Sequence, residues 1–124
     1  MKHKIAVVED NPDNRLLVQA ILDDRYEVSE YETGTEAVEG LGQDPPDLVL
    51  LDISLPEMDG TEVLAWIRGH ETLARLPVIA LTAHAMAGDR ERYIAAGFND
   101  YVTKPIVDED VLLGAIERWL SAGA

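Results

Sequence analysis

Short apolar runs that stop abruptly on a polar side chain constrain this chain more than any other feature. Ile5-Ala6-Val7-Val8 stops on Glu9-Asp10, Leu48-Val49-Leu50-Leu51 on Asp52, and Val78-Ile79-Ala80-Leu81 on Thr82. A strand with one wet face alternates polar and apolar residues. An unbroken run belongs to a strand buried on both faces, as in a parallel sheet covered on both sides. Between the runs, apolar residues recur at helical spacing: Leu16, Leu17, Ala20 and Ile21; Ala37, Val38 and Leu41; Val63, Leu64 and Ile67; Leu112, Leu113, Ile116 and Trp119. Helices are predicted over roughly 12–24, 33–42, 60–69, 83–96 and 107–120, with Asn11-Pro12 and Thr33-Gly34 as starts and Gly42, Gly69 and Gly97 as stops. Tyr26 to Tyr31 alternates with period two and is predicted to lie at or near an edge, and Asp100-Tyr101-Val102 is a short fifth strand. Five βα units imply an α/β fold with a parallel sheet, right-handed crossovers and helices on both faces.

A chain of 124 residues is expected to form one domain, 1–124, with nothing further attached. Its formal charge of -14 repels nucleic acid and anionic membrane surfaces alike, which leaves a protein partner, a cation or both. The absence of cysteine excludes a disulfide framework, a thiolate nucleophile and a Cys-type zinc site, and fits a reducing compartment. Met1 to Lys4 is basic, but the apolar run behind it is cut off at Glu9, so neither a signal peptide nor a membrane span is read there. A cytoplasmic location is expected.

Parallel strands deliver their carboxyl ends to one edge, where open α/β sheets bind ligands. Glu9 and Asp10 follow the first strand, Asp52 the third, Thr82 the fourth and Lys104 the fifth. A strand order of 2-1-3-4-5 would set Glu9, Asp10 and Asp52 side by side. Carboxylates that close either rise in pKa or hold a hard cation, and an oxygen-only donor set suits Mg²⁺ better than zinc. With a divalent ion, the Lys104 ammonium and the Thr82 hydroxyl would cradle a tetrahedral anion such as a phosphoryl group, which a carboxylate nucleophile can accept covalently.

These residues together resemble the receiver domains of two-component response regulators, over essentially the whole chain. The likeness rests on Glu9-Asp10, on Asp52 within Leu51-Asp52-Ile53-Ser54-Leu55-Pro56-Glu57-Met58-Asp59-Gly60, on Thr82-Ala83, on Tyr101 and on Lys104-Pro105. It implies the flavodoxin-like (βα)5 fold with order 2-1-3-4-5. It also implies that Asp52 accepts a phosphoryl group from a phosphohistidine on a histidine kinase or histidine phosphotransfer protein. Mg²⁺, for which Mn²⁺ can substitute, would be held by Asp10, Asp52 and the Ser54 carbonyl, with Glu9 acting through a metal-bound water. Lys104 would pair with the acyl phosphate, Thr82 and Tyr101 would form the switch, and the Lys104-Pro105 bond would be cis. The output would be binding of a target protein to the face formed by the fourth helix, fifth strand and fifth helix. Ser54 and His84 occupy positions that border the path of the hydrolytic water in this family, so they are expected to tune dephosphorylation.

Taken singly, each residue has an ordinary role. Glu9-Asp10 could be a solvated turn, Thr82 an N-cap, Lys104 a surface lysine and Tyr101 a half-buried sheet aromatic. Trp66 and Trp119 are assigned to helix packing or an interface edge, not to a cofactor. Two settings remain open, a stand-alone phosphoacceptor and a receiver module of a hybrid kinase or longer regulator. An aspartyl-nucleophile phosphatase ranks lower, because the second Asp that the haloacid-dehalogenase type needs two residues after its nucleophile is Ser54 here. A flavodoxin-like cofactor binder lacks its phosphate loop, and a degenerate scaffold would not need the full set of acids, Thr and Lys.

Overall fold

The computed structural model describes residues 2–55, 58–83, 89–104, 106 and 108–122. Five strands alternate with five helices: β1 Lys4–Val8, α1 Pro12–Leu22, β2 Glu27–Tyr31, α2 Gly34–Gln43, β3 Leu48–Asp52, α3 Gly60–Gly69, β4 Val78–Thr82, α4 Asp89–Ala96, β5 Asp100–Thr103 and α5 Glu109–Ala122. All strand pairs are parallel and the order is β2-β1-β3-β4-β5. This is the flavodoxin-like arrangement expected from the sequence. The alternating strand, β2, lies at an edge, and β3 and β4 are buried along their whole length.

Successive side chains of a strand point to opposite faces, and the unbroken apolar runs therefore feed two cores. Ile5, Val7, Leu48, Leu50, Ile79 and Leu81 join Val18, Leu22, Leu112 and Ile116 on one face of the sheet. Ala6, Val8, Val49, Leu51, Val78 and Ala80 join Leu41, Val63, Ile67 and Tyr93 on the other. Helix starts follow the expected chemistry. Asn11 caps α1 by accepting from the amides of Asp13 and Asn14, Thr33 caps α2, and Asp59 caps α3 through the amides of Thr61 and Glu62.

The described part of α4 begins at Asp89, whereas the periodicity placed its start at Ala83; residues 84–88 lie outside the described residues and Ala83 itself is a bend. At its other end Gly97 takes φ 116, and the amides of Gly97 and Phe98 return to the carbonyls of Ile94 and Tyr93 in a Schellman pattern. The half-buried Arg68 pins that end to α3, donating from Nε and Nη2 to the Gly97 carbonyl, from Nη1 to the Leu76 carbonyl and from Nη2 to Asn99 Oδ1.

One contact bears directly on the carboxyl edge. The loop leaving β3 closes when the Gly60 amide donates to the Ile53 carbonyl at 3.0 Å. A Cβ at position 60 would collide with the Asp52 carbonyl oxygen and lie 2.8 Å from the Ile53 Cα, both of them backbone atoms that cannot rotate away. Gly60→Ala should therefore destabilise the protein by about 1–3 kcal/mol, the usual cost of overpacking, and displace the end of β3. A urea midpoint equal to that of the unaltered protein would refute this reading.

Candidate functional site

The site is assembled where the parallel register brings strand ends level. Val8 pairs with Leu51, Asp52 with Leu81 and Thr82 with Thr103, so the residues just beyond them emerge at one edge. The amides of Ile53 and Lys104 donate to the carbonyls of Leu81 and Thr82, extending the ladder into the loops. There the carboxylate oxygens of Glu9, Asp10 and Asp52 come within 4.8 Å of one another. Lys104 reaches two of them, its Nζ 3.1 Å from Asp52 Oδ2 and 3.2 Å from Glu9 Oε1.

Burial differs sharply among these groups. Glu9 has no exposed surface and Asp52 is 2% exposed, whereas Asp10 faces solvent. Behind Glu9 the walls are largely apolar, with Leu17, Val18, Leu81 and Ile106 lining a void of about 10 Å³. That burial, reinforced by the hydrogen bond and the charge of Asp52, pushes the Glu9 carboxyl up to about 7, against the opposing pull of the Asn11 amide and Lys104. The Glu9–Lys104 contact looks like an ordinary ion pair, but one ammonium is shared between two carboxyls and does not offset the burial of both. Burial alone would lower Lys104; Asp52 and Glu9 together outweigh it and raise the pKa.

The donor set fits a hard divalent cation. It offers oxygen only, it is open to solvent on the Asp10 side, and its carboxyl groups exceed the positive charge that Lys104 supplies. Asp52 is oriented by the Ser54 amide, which donates to Oδ1 at 2.9 Å, and the Ser54 side chain is exposed beside it. The hydroxyl of Thr82, at the end of β4, lies 3.0 Å from the phenol oxygen of Tyr93. Tyr101 is half-buried on β5 with its ring 5.8 Å from that of Tyr93. The structure thus brings together Glu9, Asp10, Asp52 and Lys104, with Ser54 beside them. His84 and Pro105, the latter with its peptide bond to Lys104, lie outside the described residues.

The residues of the family model for the response regulator receiver domain match this chain over residues 5–117. The chain belongs to that family. This receiver domain is 41% identical over 107 residues to the polar-differentiation response regulator DivK of Brucella ovis, a match covering 86% of this chain and 87% of DivK. It is 42% identical over 120 residues to the sensor protein GacS of Pseudomonas syringae pv. syringae, covering 94% of this chain but only 13% of GacS. Among solved structures, the receiver domain of the sensor histidine kinase PA1611 from Pseudomonas aeruginosa superposes with a TM-score of 0.88 at 38% identity, covering 98% of this chain and 99% of that one, and has a magnesium ion coordinated in its active site cleft. The chain is accordingly a receiver domain of two-component signalling, a family of phosphoacceptor switches. Among the described residues, no helix is long and apolar enough to cross a membrane.

Two contributors escaped the sequence reading. Arg15, one turn into α1, bends back to donate to the carbonyls of Glu9 at 2.9 Å and Asp10 at 3.2 Å, and its other nitrogen meets Glu32 at 3.1 Å. It holds the acidic corner by its backbone. Its signal was a basic residue five positions beyond Asp10 in a helix otherwise poor in basic residues. Tyr93 is the other, legible only as the partner of Asp89 at i and i+4 on the buried side of α4.

The raised carboxyl has a consequence for stability. Between about 4.5 and about 7, Glu9 holds its proton in the folded state and releases it in the unfolded state. The stability this confers is complete below the unfolded value and is lost as pH rises through the folded one. In chelator, the urea midpoint should fall between about pH 5 and pH 8, and Glu9→Gln should flatten that fall. Equal slopes for the two proteins would count against the assignment.

Proposed function

We propose that this receiver domain is a phosphoacceptor switch whose acceptor is Asp52 and whose donor is a phosphohistidine on a histidine kinase or histidine phosphotransfer protein. The observation that carries the reading is the Lys104 ammonium, poised within 3.2 Å of both Glu9 and Asp52, whose carboxylates cluster with that of Asp10. Asp10, Asp52 and the Ser54 carbonyl would hold Mg²⁺, or Mn²⁺ in its place, with Glu9 acting through a water. The cation supplies charge neutralisation to the phosphoryl oxygens.

The chain's own residues do the rest. A carboxylate oxygen of Asp52 forms a bond to phosphorus as the P–N bond to the donor imidazole breaks and its electron pair returns to nitrogen. The Ser54 amide on Oδ1 leaves Oδ2 as the attacking atom, which is also the oxygen nearest Lys104. Lys104 then pairs with the transferred group, and the Thr82 hydroxyl donates to it. That gain biases the β4–α4 region, and Tyr101 follows on β5.

The surface that responds is the α4, β5 and α5 face, where a target protein would bind. A groove of about 620 Å³ supports this, lined by Arg90 and Ile94 of α4, Phe98, and Trp119 of α5. Ile94 is 41% exposed at its rim. The same residues promote loss of the phosphoryl group to water, and the small Ser54 side chain, with His84, tunes that rate.

Incubation with Mg²⁺ and a small acyl-phosphate donor should add the mass of one phosphoryl group to the intact protein and none to Asp52→Asn. No addition, or equal addition to the variant, would sink the proposal. A second outcome concerns Ser54. Ser54→Asn should change the decay rate of the phosphorylated protein severalfold while leaving Asp52 able to accept the group, and identical decay traces would remove Ser54 from the tuning role.

A further inference from the structure

The hydroxyl of Thr82 and the phenol of Tyr93 lie 3.0 Å apart in the interior, with Thr82 3% and Tyr93 6% exposed. Tyr93 is held firmly. Its ring meets Phe98 edge-on at 6.1 Å and Tyr101 at 5.8 Å, the Arg92 guanidinium lies 5.3 Å from the ring centre, and its carbonyl accepts from the Phe98 amide at the end of α4. The phenol oxygen is therefore presented to Thr82 from a fixed position rather than swung there by a mobile side chain. Tyr93 also touches both members of the expected switch, the Thr82 hydroxyl and the Tyr101 ring.

We propose that Tyr93 is a positioning residue that holds Thr82 in the resting state through this hydrogen bond. The inference rests on Asp52 being the phosphoacceptor. A threonine hydroxyl has one proton to give. When Thr82 turns that proton to a phosphoryl oxygen on Asp52, it can no longer give it to Tyr93. The Tyr93 ring is packed and cannot follow, so when the Thr82 hydroxyl oxygen turns about its Cα–Cβ bond toward a phosphoryl oxygen on Asp52, the Thr82–Tyr93 bond is given up whichever group was its donor. A neutral hydrogen bond in this position is worth roughly a fivefold shift in the equilibrium.

Tyr93→Phe keeps the ring and its packing and removes only the oxygen. With Mg²⁺ in excess, calorimetric titration of beryllofluoride, a phosphoryl mimic, should show about fivefold tighter binding to Tyr93→Phe than to the unaltered protein. Thr82→Ala should bind more weakly, and in the Thr82→Ala background the gain from Tyr93→Phe should be smaller than in the unaltered protein, because the Thr82–Tyr93 bond is already gone. Unchanged or weaker binding by Tyr93→Phe, or the same gain in both backgrounds, would overturn the inference. The unaltered protein provides a second measurement independent of the variants' folding. Its Tyr93 ring resonances should shift when beryllofluoride binds, and static resonances would likewise overturn it. If the intact protein binds no beryllofluoride at all, the phosphoacceptor reading falls and takes this inference with it; binding that ignores Tyr93 removes this inference alone.

Discussion

Three carboxyl groups at one sheet edge, with one ammonium to share, are the constraint on which the rest of this receiver domain depends. Water would solvate such groups readily; the fold instead buries Glu9 completely and Asp52 almost so. Like charges in a poorly polarisable setting repel strongly, and Glu9 responds by holding a proton up to about 7. The cluster is unfavourable for the empty protein and favourable once positive charge arrives. Under the proposed function, local stability is given up for readiness to bind a cation and a phosphoryl group.

The surrounding structure keeps that unfavourable cluster in place. Arg15 clamps the carbonyls of Glu9 and Asp10, so the acidic corner cannot relax outward, and Glu32 partly offsets the added charge. Gly60 lets the returning loop lie directly on the Asp52 backbone. Two dry cores flank the strands that carry the acids, and every apolar residue of β3 is sealed into one or the other. Farther out, Asp100 at the start of β5 is buried beneath Arg90, Arg118 and the Trp119 indole N–H, which ties α4 and α5 to the strand between them. The acid edge and the groove between α4 and α5 thus lie on one connected framework.

Much of this was legible in the residues themselves. Unbroken runs ending on Glu9, Asp52 and Thr82 announced buried parallel strands and their polar ends, and the alternation of Tyr26 to Tyr31 marked the edge strand correctly. Recognition of the motif set then fixed the strand order, which periodicity alone left conditional. The rest was hidden for physical reasons. Arg15 acts on backbone carbonyls, which carry no sequence identity, and Tyr93 meets Thr82 across a stretch whose path the local pattern does not specify. The expected start of α4 at Ala83 falls on a bend, because helical spacing alone cannot tell the first turn of a helix from the chain leading into it.

The Lys104–Glu9 contact joins residues 95 positions apart, spanning nearly the whole domain. A site with that reach has no partial version. Until the last strand docks, the acids lack their counter-charge. Under the proposed function the site therefore doubles as a check on its own maturation, because only a domain folded through Lys104 could carry the signal.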